Sequence, residues 1–402
     1  MSSRTHPTVI GRVYAGLGRV ICVNELIKTS FISEPLPLGF RWSAVRAGIK
    51  SSGKPDLALA TCDTPAEAGV MYTSNQVVAA PITVGRRHLA ATGGKVRAVI
   101  VNAGNANCAT GEPGIEACHK SCVAVADAFG CVFDEIFPSS TGIIGVPLPV
   151  EKLVAAVPIA KAALGSQSES AEAFATAILT TDTKLKVAQE TFTIDGKTVN
   201  LFGCAKGAGM IGPQLVPHAT MLVYIFTDLA ACSAHLTAML ATAVKTSFDC
   251  ISIDGDMSTN DTVLLLASGK SGVAAEDDAV PAFEAALQRV CDALAIAKTI
   301  ATSPLCKTAW SSADPNWGRL LAAAGRAGVP FDAGQVQIAI GGLPVFEFGV
   351  RAEAFDEPAT HAAMNARAYT IAIQMGRGPG RAHFITCDLT HEYVSINADY
   401  ST

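Results

Sequence analysis

The chain has 402 residues, a formal net charge of −5, 50% hydrophobic residues and 16% charged ones. That length can bury a large core in two or three layers, and a mean hydropathy of +0.34 points to extensive burial or a large subunit interface. The absence of a basic run and the scarcity of aromatics count against a nucleic-acid partner, and no stretch reaches the ~20 uninterrupted apolar residues of a membrane span.

Residues 1–35 read as an extension expected to be disordered. Residues 1–24 carry Arg4, Arg12 and Arg19 and no acid, which also resembles a transit peptide. Pro7, Gly11, Gly16 and Gly18 argue against an amphipathic helix there. The expected compartment is the cytoplasm, with the mitochondrial matrix as the alternative if 1–24 acts as a transit peptide. The folded body is expected from Pro37–Phe40 onward. Strand-like runs at Leu57–Ala60, Val70–Tyr72 and Ala98–Val101 alternate with Gly/Asn turns. Helices are expected over Gly114–Phe129, Val150–Leu164 (interrupted by Pro158) and Glu169–Thr180. Phe192–Val199 reads as a hairpin with Asp195-Gly196 at its turn. Next come a strand at Met221–Phe226, a helix over Ser233–Ser247, a strand at Thr262–Ala267 and a helix over Val280–Lys298. A small-residue helix, Leu320–Ala327, and strands at Val336–Ile340 and Phe346–Val350 complete the reading. This irregular mixture predicts α+β layers rather than a βαβ repeat.

Several stretches could carry chemistry. Lys206-Gly207-Ala208-Gly209-Met210-Ile211 is a Gly-rich turn, and Thr220 stands at the mouth of an apolar strand soon after it. Thr220 is either an ordinary strand residue or a nucleophile that cuts its own chain, its new α-amine then serving as base. His218 reads as a loop residue rather than a catalytic one. Asn102–Gly111 is an Asx-rich turn satisfying its own backbone, or the polar wall of a small-molecule site. Ser139–Gly145 is a hydroxyl-rich loop, either a helix N-cap or a holder of a developing oxyanion. Thr180–Lys186 either caps a helix or binds an amino-acid head group. Asp254–Asp261 looks like half a calcium loop, but its Glu is replaced by Val263–Leu266; organising a site from behind is the better use. Asp314–Arg319 either clamps a carboxylate or anchors a helix start. Gly376–Arg381 imitates a dinucleotide loop but carries Pro379 and a misplaced third Gly. The 12 Cys form no C-x-x-C pair, and Cys118 and Cys122 lack a partner set, so buried reduced thiols are expected and no metal site.

Taken together these stretches resemble the ornithine acetyltransferase family of arginine biosynthesis, also called bifunctional glutamate/ornithine acetyltransferase. The resemblance runs from about Gly39 to Thr402 and is carried, in family order, by Asn102–Gly111, Ser140–Gly145, Thr180–Thr183, Lys206–Ile211, Ala219–Leu222, Ser247–Thr262, Ser303–Arg326 and Thr386–Thr402. It implies a layered α+β sandwich resembling N-terminal nucleophile hydrolases. Self-cleavage between Ala219 and Thr220 would leave an α chain (36–219 after the extension) and a β chain (220–402), assembled as α2β2. Thr220 would be the nucleophile, Thr141 and Gly142 the oxyanion hole, and Thr183, Lys206, Thr220, Asn397 and Thr402 the substrate contacts. The implied reaction is ping-pong: acetyl passes from N-acetylornithine to Thr220 and then to glutamate, with no metal or organic cofactor. Acetyl-CoA stays open as a second acetyl donor.

Two departures stand against that pattern. The loop Gly212–His218 is longer than the family's approach to Ala-Thr. The family's Asp-Gly-Glu-Gly segment and flanking strands are absent: Val290–Ala295 runs straight into Ile296-Ala297-Lys298. A substrate-binding Glu goes with that segment, and losing strands from a packed layer should force repacking. Two rival readings follow, a non-catalytic relative, and an amidohydrolase or aminopeptidase using Thr220 with water as acceptor.

Overall fold

The computed structural model describes residues 9–15, 32–180, 185–207, 221–245, 247–248, 258–327, 329–366, 369–376 and 381–388. Strand β1 (Val9–Ala15) lies inside the expected disordered extension. Its Val, Ile and Tyr favour an extended pleated backbone, and the glycines that disfavour a helix do not prevent one. Ile32 and Leu36, ahead of or at the margin of the expected start of the folded body, are already buried in a core, and strand β2 (Phe40–Val45) follows them. Strand β3 (Leu57–Tyr72) joins two expected short strands into one of 16 residues. Its ladder to the next strand is irregular between Thr61 and Ala66, where Asp63, Thr64 and Pro65 are exposed. Pro cannot donate to a ladder, so the strand changes partner there instead of ending.

Helix α1 (Ala80–Thr92) ends at Gly93 in the left-handed region, whose N–H returns to Leu89. Strand β4 (Lys95–Asn105), helix α2 (Gly111–Phe129) and strand β5 (Ile136–Ile143) follow. Helix α3 (Val150–Ala162) runs through Pro158, forgoing one backbone hydrogen bond, and helix α4 spans Ser168–Ala177. Strands β6 (Lys186–Ile194) and β7 (Lys197–Lys206) form the expected hairpin. Asp195 (φ 49°) and Gly196 (φ 74°) supply its two positive-φ turn positions.

Beyond residue 220 come β8 (Leu222–Thr227), α5 (Ser233–Lys245), β9 (Thr262–Ala267) and α6 (Ala279–Thr302). Residues 290–298, where the sequence reading expects the family segment to be missing, lie within the continuous helix α6. Helices α7 (Pro304–Ser311) and α8 (Trp317–Gly325) precede β10 (Gln337–Ile340), β11 (Leu343–Glu347) and β12 (Val350–Arg351). The expected strand Phe346–Val350 is broken at Phe348 (φ 50°) and Gly349 (φ 90°), a tight turn between β11 and β12. Helix α9 (Glu357–Met364), β13 (Thr370–Gln374) and β14 (Arg381–Cys387) close the order.

The strands form one mixed sheet, ordered β12-β11-β10-β13-β1-β14-β6-β7-β8-β9-β3-β4-β5, with β2 added to β3. Strand β1 pairs parallel with β13 and antiparallel with β14. The central strands alternate strictly between two cores. Val223 and Ile225 of β8 join one with α5 and α6, while Leu222, Tyr224 and Phe226 join another with α4 and β2. Both faces of β8 and β9 are therefore buried, which explains their unbroken apolar runs. Trp42 meets Phe202 and Phe226 edge to face, and Phe226 stacks with Phe202. Burying each of these Phe side chains is worth about 1.5–3 kcal/mol. A third core packs α1, α2 and α3 on Leu57, Leu59, Ala98 and Ile100. The result is the layered α+β architecture that the sequence predicts.

Candidate active site

The parallel pair β4/β5 sets Ala103 beside Thr141 and Gly104 beside Gly142. Both glycines are required. Gly142 has φ +139°, and a Cβ there would sit 2.2 Å from the Gly104 carbonyl carbon and 2.4 Å from the Asn105 nitrogen. Gly104 has φ +110°, and its own Cβ would press on Ile49 and Lys50 at 3.2 Å. Bare backbone on both strands is what allows this approach. Ser139–Ile143 thus belong to β5 and not to a loop. The N-cap reading fails, because the next helix begins at Val150 with Pro149 before it.

Lys206 ends β7 and faces Leu222, the first residue of β8, in the antiparallel register. Its Nζ donates to Thr141 Oγ1 at 2.8 Å. Thr141 is only 7% exposed. A hydroxyl that accepts from an ammonium keeps its own O–H to donate, and that donor is strengthened by polarisation. Lys186, almost fully buried, donates from Nζ to the Gly207 carbonyl at 2.7 Å and so fixes the first residue after Lys206. The structure thus places Lys206 against Thr141, with Gly142 next in the chain. His218, Ala219, Thr220, Thr183, Asn397 and Thr402 lie outside the described residues; Met221, directly after Thr220, is buried.

Behind this edge the Asn-rich turn bonds to itself and to the backbone and hydroxyls packed around it. Asn102 Nδ2 donates to the Asn105 carbonyl, and Asn102 Oδ1 accepts from Ser140 Oγ at 2.6 Å. Asn105 donates to the Val146 and Pro147 carbonyls and accepts from the Asn107 N–H. Asn107 donates to the Gly114 carbonyl and accepts from Thr110. All three Asn are buried, and these amides are spent on backbone carbonyls, a backbone N–H and hydroxyls of the turn and of the segments packed around it. The half-calcium-loop segment contributes Asn260. Its Nδ2 donates to the Ala106 carbonyl at 2.7 Å and the Ser140 carbonyl at 3.0 Å.

Asp314–Arg319 resolves as an anchor. Asn316 caps α8 by accepting from the Arg319 N–H, Arg319 donates to the Leu305 carbonyl, and Trp317 stacks on Phe346. Residues 254–257 and 377–380 of two other motifs lie outside the described residues.

Sequence reasoning missed Lys50. The fully buried Asp56 carboxylate accepts from the N–H groups of Ala47, Gly48, Ile49 and Lys50 at 2.5 to 3.1 Å and so holds that turn. Lys50 Nζ donates to the carbonyls of Pro55 and Ala177. Partial burial, with smaller contributions from Lys54 and Lys206, pulls the Lys50 ammonium down to about 8, against the opposing pull of Asp56. A lone Gly-Ile-Lys in a loop gives no local hint of this; only the tertiary approach to Gly104 and Lys206 reveals it.

Among the described residues no helix is long and apolar enough to cross a membrane. Burial pushes the thiols of Cys204 and Cys291 well up, as inert structural cysteines require.

A family model described as the ArgJ family matches residues 41–297 and 292–402. The arginine biosynthesis bifunctional protein ArgJ of Nitratidesulfovibrio vulgaris is 38% identical over 393 residues, covering 90% of this chain and 98% of that protein. The protein of the same name from Chlorobaculum tepidum is 39% identical over 396 residues, covering 90% and 96%. Ornithine acetyltransferase from Mycobacterium tuberculosis, solved with ornithine bound, is 38% identical and covers 45% of this chain and 94% of that one, with a TM-score of 0.40. With the family model matched along nearly the whole length and relatives this similar over nine-tenths of it, the chain belongs to the ArgJ family.

Proposed function

We propose that this ArgJ-family chain is an acyltransferase of arginine biosynthesis that moves acetyl from N-acetylornithine to glutamate through Thr220. The observation that carries the reading is the Lys206–Thr141 hydrogen bond beside Gly142, at the edge where β8 begins. Cleavage of the Ala219–Thr220 bond frees the Thr220 α-amine. Such amines have pKa values of about 7.7–8.0 in model peptides, so a large fraction is neutral and basic at working pH.

In the first half-reaction Thr220 Oγ attacks the acetyl carbonyl carbon and its proton passes to the α-amine. The carbonyl oxygen becomes an oxyanion, which Thr141 Oγ1–H and the Gly142 backbone would stabilise. The C–N bond then breaks, the α-amine returns the proton to the leaving nitrogen, and ornithine departs from an acetyl ester. In the second half-reaction the glutamate amine attacks that ester and gives up a proton through the same base. The C–O bond breaks, Thr220 regains its proton, and N-acetylglutamate leaves. Lys206 polarises Thr141 and places positive charge beside substrates that carry carboxylates. Thr183, Asn397 and Thr402 complete the substrate contacts in this scheme, no metal or organic cofactor enters it, and the assembly is α2β2.

The experiment is the intact mass of purified protein followed by a transfer assay. Two chains, one beginning at Thr220, are expected, with acetyl passing from N-acetylornithine to glutamate. Thr220→Ala should stay a single 41.5 kDa chain with no transfer. Acetyl-CoA in place of N-acetylornithine tests the second donor. One observation favours the non-catalytic reading, the continuous helix α6 where the family carries its Asp-Gly-Glu-Gly segment. A wild-type chain that does not transfer acetyl would establish that reading, and release of free acetate would establish the hydrolase.

A further inference from the structure

The segment 258–262 connects the two halves of the proposed machinery. Asn260, 6% exposed, donates both amide hydrogens to carbonyls of the proposed oxyanion edge, Ala106 directly after β4 and Ser140 directly before Thr141. Its Oδ1 accepts from Thr259 Oγ1 at 2.5 Å. The amide orientation follows from chemistry, since both carbonyl partners can only accept. On the other side the Asn260 carbonyl accepts from Thr262 Oγ1, and the Thr262 N–H donates to the Met221 carbonyl at 2.9 Å. Met221 directly follows Thr220. Two further ties brace the segment: Thr73 donates from Oγ1 to the Ser258 carbonyl, and the Ala79 N–H donates to the Thr259 carbonyl.

Three consecutive residues, Asn260 to Thr262, therefore run from the residue before Thr141 to the residue after Thr220. The bridge crosses the proposed cleavage point, because Ser140 and Ala106 belong to the future α chain and Asn260 and Met221 to the β chain. A covalent tie at 219–220 would be lost on cleavage; this hydrogen-bonded tie would survive it.

Resting on the Thr220 reading above, we infer that Asn260 is a positioning residue that fixes the Thr141–Gly142 donors relative to the nucleophile after the chain is cut. Catalysis depends steeply on such placement, with errors near 1 Å costing about 10²-fold in rate. A residue of this kind acts on kcat and leaves substrate affinity alone.

The test compares Asn260→Ala, Asn260→Asp and Asn200→Ala in the full-length protein. Asn260→Asp keeps the shape and the Thr259 contact but loses both donors, and serves if Asn260→Ala does not fold. Asn200 is an equally buried Asn, bonded to Asp228 at the opposite end of β7 from Lys206. Both Asn260 variants are expected to self-cleave slowly and, in the cleaved fraction, to lose about 10²-fold in kcat with KM for N-acetylornithine within about threefold. Asn200→Ala should lower Tm without that loss. The inference is overturned if Asn260→Asp cleaves and turns over like wild type, if the loss falls on KM, or if Asn200→Ala loses as much kcat. Those results leave the Thr220 reading standing, whereas a wild-type chain that neither splits nor transfers acetyl overturns both.

Discussion

Two buried polar regions of this molecule are built in opposite ways. At the β4–β5 edge the amides of Asn102, Asn105, Asn107 and Asn260 are bonded to named backbone carbonyls or hydroxyls. Where α6 crosses β6, Glu190 meets Arg289 at 3.1 Å, yet Glu190 Oε1 and Arg289 Nε have no hydrogen-bond partner among the described residues. Burial raises the Glu190 carboxyl despite Arg289. The first region is a rigid frame whose polar groups specify one geometry. The second is a partly compensated ion pair on the helix that spans the sequence departure, and such pairs contribute little net stability.

The sharpest way to break the frame is Gly142→Ala. Its methyl would overlap Gly104 and force an unfavourable backbone at φ +139°, so kcat should fall about 10²–10³-fold, the scale of a lost oxyanion donor. Steady-state kinetics on the cleaved protein checks it; near-normal turnover would remove Gly142 from the oxyanion hole. Next in size, Lys206→Met should lower kcat/KM about 10–10²-fold, the worth of a charge-assisted hydrogen bond. An unchanged value would mean that the Thr141 contact is structural only.

The ion pair is probed by pH. A raised Glu190 pKa means that the folded state binds the proton more tightly than the unfolded chain. Its contribution to stability is therefore present below the ordinary carboxylate range and lost as pH rises through and above it. Urea midpoints of wild type minus Glu190→Gln should accordingly fall as pH rises from the ordinary carboxylate range; a rise would invert the assignment. The smallest effect is expected at Lys50. Its folded pKa of about 8 lies below the unfolded value of about 10.4, so charging it opposes folding below pH 8. Wild-type stability should recover between those values, and Lys50→Met should flatten that part of the profile.

Local pattern was readable where a segment's environment is uniform along its length. The β9 bounds, the Asp195-Gly196 hairpin and the Gly-capped α2 follow from a threonine and five apolar residues in a row, two positive-φ turn residues and one helical period. The site was readable to the extent that Thr141, Gly142 and Lys206 stand in motif order. What was not readable depends on partners far along the chain. Asn260 is 154 residues from Ala106 and 120 from Ser140, and Lys50 is 127 from Ala177. Ser139–Ile143 looks like a loop because paired serines and a glycine are common in turns, yet pairing with β4 overrides that preference.

By itself the sequence determined the α+β class, the family motifs and their order, and the place where the chain departs from them, because these rest on short-range pattern and on residue identity. Only the tertiary structure decided that β3 is one strand changing partners and that Val9–Ala15 enters the sheet between β13 and β14. It alone decided that the Asn-rich turn faces inward and that Lys206 reaches Thr141. The physical reason is common to all four. Backbone pairing and buried hydrogen bonds are satisfied by whatever group the fold brings within about 3 Å, and sequence spacing carries no record of that distance.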